Sequence, residues 1–248
     1  MRHFLPLGLS LFVLSFLLLS VCAPLDENGR VWAADENAGA TATKKKPLPD
    51  GFVDVEDIDG TIHVDIRYAT AKNFIGNRVP SYYSNRAILT KEAGLALGKV
   101  QRDLQRMNYS LLVFDAYRPQ PAVDYFVEWS KKPGENTKQE YFPSFTKEEL
   151  FKLGFVASKS GHSRGSSVDL TIFNEWTEQP LPMGSPFDFF DDRSTDRTTE
   201  ISEEERKNRI FLREIMMKHG FVPYWKEWWH FRLKDEPFPE TYFDFPVE

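Results

Sequence analysis

The chain has 248 residues, 41% of them hydrophobic and 15% aromatic, enough for one sizeable core. It carries 31 basic against 37 acidic side chains, a net charge of −6, and no long basic stripe. That balance excludes a nucleic-acid binder, which needs a cationic face for phosphates, and the single cysteine, Cys22, excludes a disulfide framework.

The first residues, "MRHF", are positively charged, and an apolar run follows from Leu5 to Val21. This is the order of a secretory signal; a membrane anchor is the competing reading, because about 17 apolar residues lies near the lower limit for spanning a bilayer. "LLSVC" ends the run at Cys22 and resembles a bacterial lipoprotein signal, with Val21 where a small residue is usual. Ordinary cleavage after Ala23 would leave Pro24 first, and "VWA" up to Ala33 lies well beyond the apolar run. Residues 1–23 are therefore expected to be a signal peptide. The product is either a soluble periplasmic protein or one attached to the membrane through an acylated Cys22. Residues 24–50 are polar and unpatterned, with Lys44, Lys45 and Lys46 as a solvated triplet, and read as a flexible linker. Residues 51–248 are expected to form one domain.

"TIHVDIRYA" alternates, with Ile62, Val64 and Ile66 opposite His63, Asp65 and Arg67, and predicts a half-buried strand. Ala93, Leu97, Val100, Leu104 and Met107 recur at helical spacing behind Thr90 as N-cap. "SLLVFDAYRP" is a buried strand ending at Asp115, and Pro119 and Pro121 open a helix. Capping boxes at Thr146–Glu149 and Ser202–Glu205 start two more helices, with Gly154 and Gly220 as stops. "SVDLTIF" alternates as a strand, and "FVPYWKEWWHFRL" closes the fold as one aromatic strand. The mixture predicts an α+β fold, helices packed on a largely antiparallel sheet.

Two stretches carry metal-ligand chemistry. In "SGHSRGSSVDLT", a turn at Gly165 folds His162 back beside Asp169, and imidazole and carboxylate are suitable ligands for Zn²⁺. Alone, that pair is better read as a hydrogen-bonded turn. "EWWH" supplies Glu227 and His230. Strand parity separates these two side chains, so the backbone must bend near Trp228 for both to reach one site. His162, Asp169 and His230 then make a three-ligand catalytic zinc site with an open position. Glu227 is the carboxylate that accepts a proton from water, its pKa raised among tryptophans. Arg118 in "FDAYRP" either stabilises an oxyanion or is a surface arginine paired with Asp115 or Asp124.

The pattern S-x-H-x-x-G-x-x-x-D with a distant E-x-x-H resembles the zinc-dependent D-alanyl-D-alanine dipeptidases, the VanX type of the D-Ala-D-Ala carboxypeptidase superfamily. "IRYATAKNFIGNRV", "FDAYRPQPAVDYF", "GFVASKSGHSRGSSVDLT", "PMGSPFDFFDDRS" and "EWWHFRLKDEPFPETYFDFPV" resemble that family in order, over most of residues 62–247. The resemblance implies one zinc per chain on His162, Asp169 and His230, Glu227 as general base and Arg118 as stabiliser of the tetrahedral intermediate. It also implies D-Ala-D-Ala as substrate, contacted by Tyr68, Ser160 and Asp188, with the Asp188 carboxylate taking the ammonium. The alternatives for these three are a turn-capping acid, a core tyrosine and a serine bonded to its own turn. Resistance-linked members act in the cytoplasm; the export signal here points instead to scavenging of D-Ala-D-Ala during wall turnover. A D,D-carboxypeptidase or endopeptidase on longer stem peptides is the competing enzyme, and a non-catalytic binder of wall fragments the competing class.

Overall fold

The computed structural model describes residue 1, residues 45–134 and residues 136–248. The expected signal peptide, Cys22 and most of the expected linker lie outside the described residues. Lys45 belongs to the folded body, paired at 3.0–3.4 Å with Asp54, Glu56 and Asp57, and Leu48 packs on the core.

In chain order the elements are β1 (Phe52–Asp54), α1 (Val55–Ile58), β2 (His63–Val64), β3 (Ile88–Thr90), α2 (Lys91–Gln105), β4 (Tyr109–Asp115), α3 (Gln120–Lys131), α4 (Lys138–Tyr141), α5 (Lys147–Lys152), β5 (Ser167–Asn174), β6 (Gln179–Pro180), α6 (Glu203–Lys218), β7 (Phe221–Tyr224) and β8 (Glu227–Leu233). The main sheet runs β2-β4-β5-β8-β7, with β6 on the far end of β5. Only β2 against β4 is parallel among these pairs, so the expected largely antiparallel α+β architecture holds. A separate antiparallel pair joins β1 to β3.

The predicted caps are in place. Thr90 Oγ accepts the Ala93 N–H, and both capping boxes are complete, each worth roughly 1 kcal/mol against Ala at the cap. The helical stripe of α2 buries Leu97, Val100 and Leu104 completely against β4 and α6. Val168, Leu170 and Ile172 of β5 are equally buried, which leaves Asp169 and Thr171 on the opposite face of that strand.

Two expectations change. The strand over residues 61–69 shrinks to His63–Val64, followed by a 3₁₀ turn at Arg67–Ala69. The cause is Asn85: its amide donates to the Val64 carbonyl at 2.9 Å and its oxygen accepts the Ile66 N–H at 2.7 Å, taking the place of a neighbouring strand. The alternation survives in burial, with Ile62, Ile66 and Tyr68 inside. The aromatic segment is a hairpin of two strands, β7 and β8, turning at Trp225 and Lys226.

Residues 243–247 bond the turn before β5 and the segment after β4. Phe243 donates to the Ser163 carbonyl and accepts from the Gln120 N–H, both at 2.9 Å, and Val247 accepts from Tyr83. The Phe245 carbonyl takes the Tyr117 hydroxyl. Among the described residues, no helix is long and apolar enough to cross a membrane.

Candidate active site and metal centre

His162 sits on a 3₁₀ turn, Gly161–Arg164, that ends at Gly165 with φ of +78°. A Cβ there would collide with the Phe52 ring, so both conformation and space require glycine. Asp169 follows on β5, and His230 is its register partner on β8. The turn and two adjacent strands thus bring His162 Nε2, Asp169 Oδ1 and His230 Nδ1 within 3.0–3.3 Å of one another.

This donor set fits a metal ion. His162 Nδ1 lies 2.7 Å from the Ala116 carbonyl. A carbonyl only accepts, so Nδ1 carries the proton and Nε2 presents a lone pair. Burial pushes the His230 pKa down and favours the neutral ring. Burial opposes the charge on Asp169, but the His162 and His230 rings outweigh it and hold the carboxyl well below its usual range. Two ring nitrogens and one carboxylate oxygen thus lie close enough together to hold one metal ion, a set that suits Zn²⁺.

Glu227 and His230 border the same cavity, and the reason is the expected bend. Pro223 pairs with Phe231, but Tyr224 pairs with Glu227. Trp228, Trp229 and His230 have no register partner in β7. An odd number of extra residues flips strand parity, which is how Glu227 and His230 come to share a side. Glu227 is buried. Burial, reinforced by the Asp169 and Asp188 carboxylates, pushes its pKa well above the ordinary range. Among the described residues no hydrogen bond or ion pair holds it, which leaves the carboxyl available to a bound molecule.

Arg118 is not a surface arginine. Its Nε and Nη2 both lie 2.9 Å from Asp115 Oδ2. Its guanidinium stacks over Tyr68 at 4.9 Å and Phe126 at 5.3 Å. Nη2 also reaches Asp169 Oδ2 at 3.6 Å. Asp115, fully buried, takes the Tyr82 hydroxyl on its other oxygen at 2.6 Å and lies 3.7 Å from His162 Nδ1. Neither Asp115 nor Tyr82 was singled out for function from the sequence. The signal was there for Asp115, an acid closing the buried run "SLLVF".

A bulge aims Asp115. Leu111 and Val113 pair with Ile172 and Leu170, then Asp115 pairs with Asp169. Phe114 is the extra residue, and it turns Asp115 from the helix-packed face to the cavity face.

Asp188 has φ of +59° and is buried, with the Tyr68 hydroxyl donating to its two oxygens at 3.0 and 3.2 Å. Burial, then the Asp169 charge, raises its pKa, so a cation arriving beside it is strongly favoured. Tyr68 is at once a core residue, 1% exposed, and the support of Asp188 and Arg118. Ser160 borders the cavity, and its Oγ accepts the His162 N–H at 3.2 Å, so the residue stabilises the metal turn. The cavity enclosed by these groups has a volume of about 190 Å³, below the ~300–1,000 Å³ usual for ligand clefts.

Comparison with known proteins gives a consistent result. Residues 49–248 match the peptidase M15 family model described as D-ala-D-ala dipeptidase. A D-alanyl-D-alanine dipeptidase of Enterococcus faecalis is 44% identical over 201 residues, 81% of this chain and 100% of that protein. The Streptomyces coelicolor D-alanyl-D-alanine dipeptidase is 42% identical, covering 79% and 98%, and the Escherichia coli one 33%, covering 73% and 84%.

Proposed function

Since the chain belongs to the peptidase M15 D-Ala-D-Ala dipeptidase family, we propose that it hydrolyses D-alanyl-D-alanine to two molecules of D-alanine with one zinc ion held by His162, Asp169 and His230. The observation that carries this reading is the pairing of an anionic clamp, Asp188, with the three-ligand cluster in one small cavity. A zinc ion in that cluster supplies Lewis acidity, polarising the scissile carbonyl and bringing the pKa of water to about 7.

The residues of the chain do the rest. Asp188 takes the substrate ammonium, which fixes the scissile peptide relative to the ligand cluster. Glu227 accepts the proton of the attacking water as its oxygen bonds to the carbonyl carbon. Glu227 then gives that proton to the departing amine nitrogen as the C–N bond breaks. A raised pKa suits a carboxyl that must both take and return a proton near neutral pH. Arg118, anchored by Asp115 and stacked on Tyr68, offers its guanidinium to the oxyanion that develops on the carbonyl oxygen. Tyr68 orients Asp188.

We place the enzyme outside the cytoplasmic membrane, in the periplasm or attached through an acylated Cys22. Support for this is the charged start and apolar run of residues 1–23. In that compartment the reaction recovers D-alanine from dipeptide freed in peptidoglycan turnover.

The test is release of D-alanine by the zinc-loaded protein from D-Ala-D-Ala and from a stem pentapeptide ending in D-Ala-D-Ala. Cleavage of the dipeptide alone is expected. Cleavage of the pentapeptide would make the protein a D,D-carboxypeptidase and remove the role given to Asp188. Cleavage of neither, with zinc bound, would make it a binding protein.

A further inference from the structure

A second cavity, of about 250 Å³, lies on the same face of the sheet as the catalytic one. Thr171 borders it from β5, two residues beyond the ligand Asp169 and therefore on the same side of the strand. Phe187 divides the two spaces, packed on Phe114 at 5.0 Å and on Trp229 at 5.5 Å. The next residue is the clamp, Asp188.

Two polar atoms at this cavity are buried without a hydrogen bond, Thr171 Oγ1 and Arg67 Nε. Thr171 is 1% exposed. Arg67 Nε lies 2.9 Å from Asp65 Oδ2, but not in hydrogen-bonding geometry, and its guanidinium sits over the Phe114 ring at 4.8 Å. Buried polar atoms are satisfied in about nine cases of ten, so Thr171 Oγ1, which unlike Arg67 Nε has no ion pair either, calls for a partner in that space. Lys72, exposed and in no ion pair among the described residues, stands at the same cavity. Much of the remaining wall is apolar, including Leu181, Met183 and Trp228, with Ser185 and Tyr141 among it.

Hydroxyl, guanidinium and ammonium are all donors, and their common partner is a carboxylate. Glu140 also borders the space and disfavours a second negative charge. We propose that this cavity is a binding site for a small monocarboxylate with a compact apolar body, separate from the catalytic cavity. The carboxylate meets Thr171, Arg67 and Lys72, and the apolar body lies against Phe187 and Trp228.

The probe is phenylacetate, titrated calorimetrically into the zinc-loaded full chain, with benzylamine and benzyl alcohol as controls of charge. One phenylacetate per chain is expected, with neither control binding. Thr171→Val and Lys72→Gln should each weaken it by at least about tenfold, the loss of one hydrogen bond to a charged group. Thr171→Val should leave hydrolysis of D-Ala-D-Ala unchanged in the absence of phenylacetate. Because Lys72 is exposed, Lys72→Gln keeps the test valid if Thr171→Val folds poorly. No binding of phenylacetate would overturn the proposal. So would equal binding of the benzyl controls, binding unaltered in Lys72→Gln, or phenylacetate displaced competitively by D-Ala-D-Ala.

Discussion

Asp115→Asn tests whether Arg118 acts from a fixed position. The wild-type carboxylate holds two N–H groups of Arg118 on one oxygen at 2.9 Å and the Tyr82 hydroxyl on the other at 2.6 Å. Asp115 is fully buried and Arg118 only partly exposed, with side-chain exposures of 0% and 13%. Asparagine keeps the shape and one acceptor oxygen but removes the charge. Breaking a buried pair costs about 3–5 kcal/mol; since the amide still accepts one bond, we expect the variant to lose about 3 kcal/mol of stability. In catalysis the loss falls on the oxyanion. One misplaced donor there is worth roughly 2.7–4 kcal/mol, or 10²–10³ in kcat, so kcat should drop about a hundredfold with little change in KM. The assay is steady-state release of D-alanine at saturating zinc, well below the unfolding transition, with bound zinc measured in parallel. If kcat stays within about threefold of wild type in a protein that holds its zinc, Asp115 does not position Arg118 and the argument fails.

Glu227→Gln should lower kcat by about 10²–10⁴, the range for loss of a general base. The variant should be no less stable than wild type, because a buried carboxylate without hydrogen bonds costs stability when ionised; a large fall in the melting midpoint would count against this. The base must be ionised and its pKa is raised, so kcat/KM should fall as pH drops through a value above the ordinary ~4.5 of a glutamate. An acid limb at or below that value would refute the burial effect. Asp188→Asn should cost the dipeptide at least about 2 kcal/mol in kcat/KM, some thirtyfold. Wild type should strongly prefer D-Ala-D-Ala to its N-acetyl form and the variant should lose that preference; an unchanged preference would place the ammonium elsewhere. Removal of zinc by a chelator should abolish activity and lower the melting midpoint, and added zinc should restore both. Zinc at a hundredfold its Kd contributes about 2.7 kcal/mol, and full activity after chelation would exclude the metal centre.

The cluster of His162, Asp169 and His230 was legible because each residue lies in a stretch with a local signal. A glycine at positive φ folds His162 toward Asp169, and alternation assigns Asp169 to the face away from Val168 and Leu170. The parity conflict between Glu227 and His230 demanded a bend, and the three-residue slip of β8 supplies it. Asp115 was hidden by the same logic that found Asp169. Regular alternation from Leu111 and Val113 would bury it toward α2, and the bulge at Phe114 that reverses this leaves no mark in composition. Tyr82 is bonded to it from far along the chain, a contact that no local pattern encodes. The strand over residues 61–69 was overextended for a related reason: Asn85, a side chain outside the segment, replaces the backbone partners that a longer strand would need.

Residues 243–247 bear on the order in which the contacts around the site form. Phe243 bonds the carbonyl of Ser163, beside the ligand His162, and the N–H of Gln120, two residues after Arg118. These bonds join the turn carrying His162 to the loop carrying Arg118, and they are made by a segment that follows His162, Asp169 and His230 in the chain. Domains fold as units as synthesis proceeds, and here the segment that braces the site follows His162, Asp169 and His230 in the chain. A nascent chain can hold His162, Asp169 and His230, with the Arg118 N–H bonded directly to the His162 carbonyl at 3.3 Å, and still lack the added contacts of Phe243. The contacts that Phe243 makes with Ser163 and Gln120 therefore form only after His162, Asp169 and His230 have all been made.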